Sequence, residues 1–387
     1  MGFHSDISSF RLSCITIFLC ILLLFNLIAV LFIPIVNAAD CRTTSTGLIP
    51  ITEMNDELYR GKEGGLYPNG NTPPVEFQNT GIEIATDIQP LDTSGKPSIT
   101  NGTIVLLSIG MSITSMEFLT FRQLALSDPL KNPNLVFVNG AIEGVGAASV
   151  ANKNSTYWNA VENRLKINGA SVNQVQIVWL KEVSRSSKGF PEDAETLTEL
   201  LKTIVQVLKE KYPNISIVYI SSRSYGGYAT NAALEPYSYQ TGFSVKWLIE
   251  SQINGDLDIN YDPVKGPVKA PLLRWGPYLW ADGTTIRKDN NLSWQCFDYS
   301  DDGVHHSSSG LEKSGNLLLN FFQTDPTARI WYLSEDAKTE IIDILIFPAP
   351  FPFLEIFVIV IAVVIGIIVI RSIWQRRKTK DIEDEDW

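Results

Sequence analysis

The chain has 387 residues, 45% of them apolar, enough for one large domain or two modest ones around a full-sized core. A net charge of −11 argues against nucleic acid as a partner, because phosphate binding needs clustered Lys and Arg. Part of that charge is local, since the last six residues, IEDEDW, carry four acids.

In chain order, the first feature is the apolar run 12–36, which follows Arg11. It exceeds the roughly 7–15 apolar residues of an ordinary signal peptide and is long enough to span a bilayer. Val36-Asn37-Ala38 nevertheless places small residues where a cleavage site before Ala39 needs them. Residues 1–38 are therefore read as a signal peptide or a signal anchor. Residues 39–102 are rich in Thr, Gly, Pro and Asn and lack sustained periodicity. They read as an irregular lead-in with short strands, packed on the domain through its Leu, Tyr and Phe residues.

From residue 103 the pattern alternates. The apolar runs Ile104–Ile109, Leu135–Val138, Val175–Leu180 and Ile215–Ile220 end at turn residues and fit strands buried on both faces of a parallel sheet. Between them the clearest helix covers 192–211, where Leu197, Leu200, Leu201, Ile204 and Leu208 share one stripe and Pro213 stops the run. Further helices are expected after Ser112, over 156–168 and over 240–252. This alternation predicts a three-layer α/β/α sandwich with a doubly wound parallel sheet over 103–335, its ligands bound beyond the carboxyl ends of the strands.

Residues 336–352 form a juxtamembrane stretch, and 353–373 a transmembrane helix containing the unbroken apolar run Ile356–Ile370. Arg376, Arg377, Lys378 and Lys380 follow in the charged tail 374–387. Positive charge stays on the cytoplasmic side, so the expectation is a single-pass protein of the cell membrane whose domain faces outward. Asn101, Asn154, Asn214 and Asn291 head N-x-S/T sequons, permissive for glycosylation. Cys14 and Cys20 lie in the first apolar run, leaving Cys41 and Cys296 to form a disulfide or to stay as two free thiols.

Chemistry narrows through histidine. His4 precedes the first apolar run, so histidine-dependent chemistry in the outward part must use His305 or His306. Asp302 lies three residues before His305 across Gly303, a spacing that lets a carboxylate steady one imidazole nitrogen and leave the other to accept a proton. Ser309-Gly-Leu-Glu312 reads as a capping box, with Leu311, Leu317, Leu318 and Phe321 as the apolar face of the helix it opens. Ser112, two residues past Gly110 at the end of the first strand, is the serine whose position fits a nucleophile, and its own N–H could serve an oxyanion. Asp301, Asp302, His305 and His306 could instead ligate a divalent metal. The absence of Cys-x-x-Cys or His-x-His spacing, and of a further ligand cluster, argues against a metal site. His306 is expected to be a wall residue. Arg223 and Tyr225, in SSRSYGGYA after the fourth strand, are candidates for substrate binding or for loop ordering. The aromatics of 275–296 could line a sugar-binding surface or fill the core.

The blocks Ser108-Ile-Gly-Met-Ser-Ile-Thr114, Asn139-Gly-Ala-Ile-Glu-Gly144 and Asp302-Gly-Val-His305 resemble blocks I, II and V of SGNH/GDSL hydrolases in content, order and spacing, over residues 103–323. The resemblance implies a flavodoxin-like SGNH fold and a cofactor-free serine esterase. Its triad would be Ser112, His305 and Asp302, with an oxyanion hole from the N–H groups of Ser112 and Gly144, Gly140 being the alternative glycine. An acyl ester, for example on surface carbohydrate, would be the substrate. Two departures stand out. Met111 replaces the usual Asp before the serine, and Trp179-Leu-Lys-Glu182 replaces the Gly-x-Asn-Asp of block III. Lys181 is the expected substitute donor for that asparagine. The rival expectation is a non-catalytic surface binding module on the same fold.

Overall fold

The computed structural model of the chain describes residues 39–184, 188–230 and 234–338. Through Tyr332 these form one compact unit; Leu333 onward belongs to a second, of which 333–338 are described. The expected membrane segments at 12–36 and 353–373 lie outside the described residues, and no helix among the described residues is long and apolar enough to cross a membrane.

Five strands make the central sheet: β1 (Ile104–Gly110), β2 (Leu135–Asn139), β3 (Val175–Lys181), β4 (Ile217–Ile220) and β5 (Leu272–Trp275). All are parallel, in the order β2-β1-β3-β4-β5. Every residue of β1 and β3 is buried, as expected for strands covered on both faces. The order reverses between β1 and β3, and this is the position at which doubly wound sheets open a crevice beyond the strand ends.

The helices are α1 (Val75–Thr86), α2 (Ser112–Leu126), α3 (Ala147–Ala151), α4 (Thr156–Ile167), α5 (Glu192–Lys211), α6 (Tyr237–Ile253), α7 (Ser308–Thr324) and α8 (Ala328–Tyr332). They pack in two sets: α2 on α7, which meets α8 beside α1, and α5 on α3 and α6. In α5 the residues Leu197, Leu201, Ile204, Val205 and Leu208 are buried on one stripe. Its first turn carries Glu192, Asp193 and Glu195 and its last carries Lys209 and Lys211, both favourable to the helix dipole.

Several expectations change in detail. The lead-in contains a full helix, α1, besides a two-residue ladder of Leu58–Tyr59 on Lys62–Glu63. The fourth helix spans Tyr237–Ile253, wider than the spacing suggests, and β5 is an additional strand. The cap of α7 is Ser307, whose hydroxyl accepts from the Gly310 N–H; Ser309 instead donates to Asp298. Phe322 is buried on that helix where Phe321 was expected to be.

Cys41 and Cys296, 255 positions apart in sequence, are joined in a disulfide with 5.4 Å between their Cα atoms. Asn101, Asn154 and Asn291 are exposed, whereas the amide of Asn214 donates to the Asn173 carbonyl at 2.7 Å.

Candidate active site

Three local devices put Ser112 at the crevice. Gly110 ends β1 opposite Lys181, and a Cβ there would stand 2.3 Å from the Lys181 carbonyl oxygen and 2.6 Å from the Thr114 hydroxyl. Only glycine admits so close an approach. The Thr114 hydroxyl then donates to that same carbonyl at 2.8 Å, tying the first turn of α2 to the end of β3. Asn139, at the end of β2, accepts from the Ser108 hydroxyl at 2.9 Å and donates to the Ser115 hydroxyl at 2.7 Å. Strand end and helix start are thereby stapled together, with Ser112 as the first helical residue. Its N–H is one of those that an α-helix leaves without an internal partner.

The second half of the site is the loop before α7. Gly303 has φ +63°, and a Cβ there would lie 2.1 Å from the Tyr228 carbonyl oxygen, so the turn demands glycine. The Ser300 N–H donates to the His305 carbonyl at 2.7 Å, closing the loop. Inside it, one oxygen of Asp302 accepts from the N–H groups of Val304 and His305, each at 2.9 Å. Its other oxygen accepts from His305 Nδ1 at 2.6 Å. His305 Nε2 lies 2.9 Å from Ser112 Oγ.

With Nδ1–H directed at the carboxylate, Nε2 is the nitrogen left without a proton and is placed to accept a hydrogen bond from the Ser112 hydroxyl. Partial burial raises the affinity of Asp302 for a proton, but the hydrogen bonds from the His305 ring and the two N–H groups outweigh it and hold the carboxyl below its ordinary value. It therefore stays ionised and can stabilise an imidazolium. The side chains of His305 and Asp302 are 35% and 44% exposed, so the chain of hydrogen bonds opens to solvent and not into the core.

His306 turns the opposite way and is a core residue. Its Nε2 meets the Ser224 hydroxyl at 2.9 Å and its Nδ1 the Ser314 hydroxyl at 3.1 Å, and its ring stacks on Trp294 with centroids 4.7 Å apart. Burial, reinforced by the nearby charges of Lys181 and Arg223, pushes its pKa well down, so the ring is neutral. The expected wall residue is thus a buried anchor for the loop that carries His305.

Lys181 does not stand where the missing block III asparagine was expected to be replaced. Its ammonium pairs with Glu117 of α2 at 2.5 Å, and neither side chain has more than 1% exposure. Burial pushes the lysine pKa down and the glutamate pKa up, and their mutual attraction opposes both shifts. Trp179, two residues earlier on β3, stacks on Phe118 of α2, so Lys181 belongs to the β3–α2 packing face. Glu182, with its carboxyl pushed up to about 8 by burial, has one oxygen without a partner among the described residues.

The two glycines of block II also separate. The Gly140 N–H donates to the Ser108 carbonyl at 3.0 Å and is not available to an oxyanion. The Ile142 N–H donates to the Gly110 carbonyl at 2.9 Å, so the chain leading to Gly144 runs along the end of β1. Gly144 is exposed with φ +73°, and its N–H has no partner among the described residues.

Of the remaining candidates, Tyr225 is 1% exposed and its hydroxyl donates to the Thr43 carbonyl at 2.8 Å, so it holds the lead-in and has no face for substrate. Arg223 is also buried, and its Nη1 approaches the sulfur of Met111 at 4.0 Å. Trp280 and Trp294 are sealed in the core, and Trp275 and Tyr278 are nearly so. No cluster of three or more potential ligands able to hold a metal ion occurs among the described residues; His305 and His306 point apart. Glu117 and Ser224 carry no signal in the sequence, whereas Thr114 and Asn139 lie inside the first and second blocks and could have been singled out there.

No protein-family model matches the chain, and no curated protein matches it in sequence. Two solved structures resemble it. A carbohydrate esterase family 3 protein from Talaromyces cellulolyticus aligns at 12% identity and a TM-score of 0.32, over 56% of this chain and 95% of that one. SsfX3, a salicylyl-acyltransferase from a tetracycline biosynthetic pathway, aligns at 12% identity and a TM-score of 0.32, over 60% of this chain and 58% of that one. Likenesses this distant say nothing of what this chain does.

Proposed function

We propose that the chain is a serine esterase of the SGNH/GDSL type. The observation that carries this reading is the continuous chain Ser112 Oγ–His305 Nε2, His305 Nδ1–Asp302, at 2.9 Å and 2.6 Å. Ser112 attacks the ester carbonyl while His305 takes its proton. The acyl-serine forms as His305 returns that proton to the departing alcohol. Water, deprotonated by the same nitrogen, then releases the acid and restores the serine. The N–H groups of Ser112 and Gly144 stabilise the tetrahedral oxyanion. No cofactor takes part in these steps. With Lys181 committed to Glu117, the hole has one donor fewer than the family pattern, a deficit that typically costs about a hundredfold or more in rate.

The disulfide supports an oxidising surrounding for the domain. Together with the apolar segments at 12–36 and 353–373 it favours a membrane-anchored enzyme facing outward, acting on an acyl ester such as one on surface carbohydrate. The test is hydrolysis of p-nitrophenyl acetate by the full-length chain beside its Ser112→Ala variant. We expect the variant to lose at least about a thousandfold in kcat, as loss of a triad nucleophile does. Equal rates would favour the rival reading, a binding module without catalysis.

A further inference from the structure

Among the described residues Arg223 and Arg274 both lack an ion pair, but the unpartnered Nε and Nη1 of Arg274 are sealed from solvent and those of Arg223 are not. Arg287 donates to the Tyr278 and Trp280 carbonyls and pairs with Asp289. Arg274 donates to Gln78 and lies over the rings of Tyr67 and Phe77. Arg223, 8% exposed, has no carboxylate within ion-pairing distance and lies over no aromatic ring among the described residues. Among the described residues its only side-chain contact of hydrogen-bond type is the 4.0 Å approach of Nη1 to the Met111 sulfur, a poor acceptor. Nε and Nη2 have no partner among the described residues, yet neither is sealed from solvent.

Its place is fixed. The Arg223 N–H donates to the Thr241 hydroxyl at 3.0 Å, and the next residue, Ser224, bonds His306. The guanidinium therefore sits beside the residue that precedes the nucleophile, on a loop bonded to the one that carries the base. Nearby carboxylates are engaged elsewhere. Glu117 holds Lys181, and Glu235 accepts from Trp280 and from the N–H groups of Gly226 and Tyr239. Burial also pushes Glu235 up to about 7, which weakens it further as a counter-ion. A buried cation without a counter-ion is costly, and an anion brought into the crevice would relieve that cost. The local positive charge also stands out in a chain of net charge −11, which would otherwise repel anions.

We propose that Arg223 is a specificity residue that receives a carboxylate of the ester substrate, carried on its acyl or its alcohol part. Arg suits this role because its planar fork matches a carboxylate with two parallel hydrogen bonds. The inference rests on the esterase reading and deepens it by naming the substrate class. Two ester pairs separate the sources of the charge. Mono-p-nitrophenyl succinate against p-nitrophenyl acetate places it on the acyl side, and 4-acetoxybenzoate against phenyl acetate on the alcohol side.

For the full-length chain, the readout is the ratio of kcat/KM for the anionic ester to that for its neutral partner. Arg223→Met should lower this ratio about tenfold to a hundredfold in one pair, mainly through KM, as expected for a lost charge-assisted hydrogen bond. Arg223→Lys should recover part of it, and this second variant keeps the test decisive if the methionine variant folds poorly. A ratio that Arg223→Met leaves unchanged in both pairs, or an equal fall in kcat on all four esters, overturns the proposal. If the native chain turns over none of the esters, the esterase reading fails instead. Calorimetric binding of monomethyl succinate to the Ser112→Ala chain then decides: binding abolished by Arg223→Met sustains the anion site, and no binding overturns it.

Discussion

At the scale of residues, Asp302 does two jobs with two oxygens. One fixes the loop through the Val304 and His305 N–H groups, and the other fixes the tautomer of His305. Asp302→Asn keeps the size and much of the loop bonding but presents the wrong partner to Nδ1. We expect kcat on p-nitrophenyl acetate to fall by about a thousandfold to ten-thousandfold, with far-ultraviolet circular dichroism unchanged. A fall of less than about tenfold would mean that the carboxylate does not orient the base. The pairing of Asp302 with His305 was legible from three residues of spacing and a histidine count. The roles of Lys181 and Tyr225 were not, because each depends on a partner distant in sequence: Glu117 lies 64 residues from Lys181, and Thr43 lies 182 from Tyr225.

Elements built on strong local signals were readable. The stripe on α5 and the apolar runs of β1 and β3 state their burial directly. α1 was hidden because Gly81 sits on its buried face, where a Cβ would lie 3.2 Å from the Thr327 methyl, leaving the apolar stripe incomplete. β5 was hidden because it is a four-residue edge strand interrupted by Arg274. At the end of β3 the structure departs from ordinary burial. Glu182 is 3% exposed, and burial outweighs the single N–H bond from Val183. An acid whose folded pKa is raised holds its proton in the native state while the unfolded chain ionises. Its contribution therefore falls as pH rises from the unfolded value near 4.5 to about 8, at up to about 1.4 kcal/mol per pH unit before relaxation and hydration reduce it. Glu182→Gln removes this term. Urea midpoints of the two proteins should draw apart between pH 5 and pH 8, with the variant gaining relative to the native chain; parallel pH profiles would place the carboxyl in a wetter setting.

At the scale of the whole molecule, the lead-in is part of the domain. Asp282 accepts hydrogen bonds from Ser45, Thr46 and Gly47, the Tyr225 hydroxyl holds Thr43, and the disulfide links Cys41 to the segment ahead of the loop that carries His305. Composition suggested packing of 39–102 and left the cysteines undecided, since no local pattern brings together residues 255 apart. A bridge across so long a loop restricts the unfolded chain strongly. Removing it should cost about 2–5 kcal/mol. The expected result is a lower urea midpoint with reductant, a similar loss in the Cys41→Ala/Cys296→Ala variant, and no further effect of reductant on that variant. A midpoint indifferent to reductant would show that the linkage adds nothing to stability.

The sandwich, its switch point and the stapled turns serve to bring one hydroxyl to one imidazole. Labelling the full-length chain with a fluorophosphonate and mapping the adduct by peptide mass spectrometry tests that directly. The expected result is a single adduct on Ser112, whose rate of formation collapses in His305→Ala. An adduct on another serine, or labelling of Ser112 that proceeds equally well without His305, would contradict it.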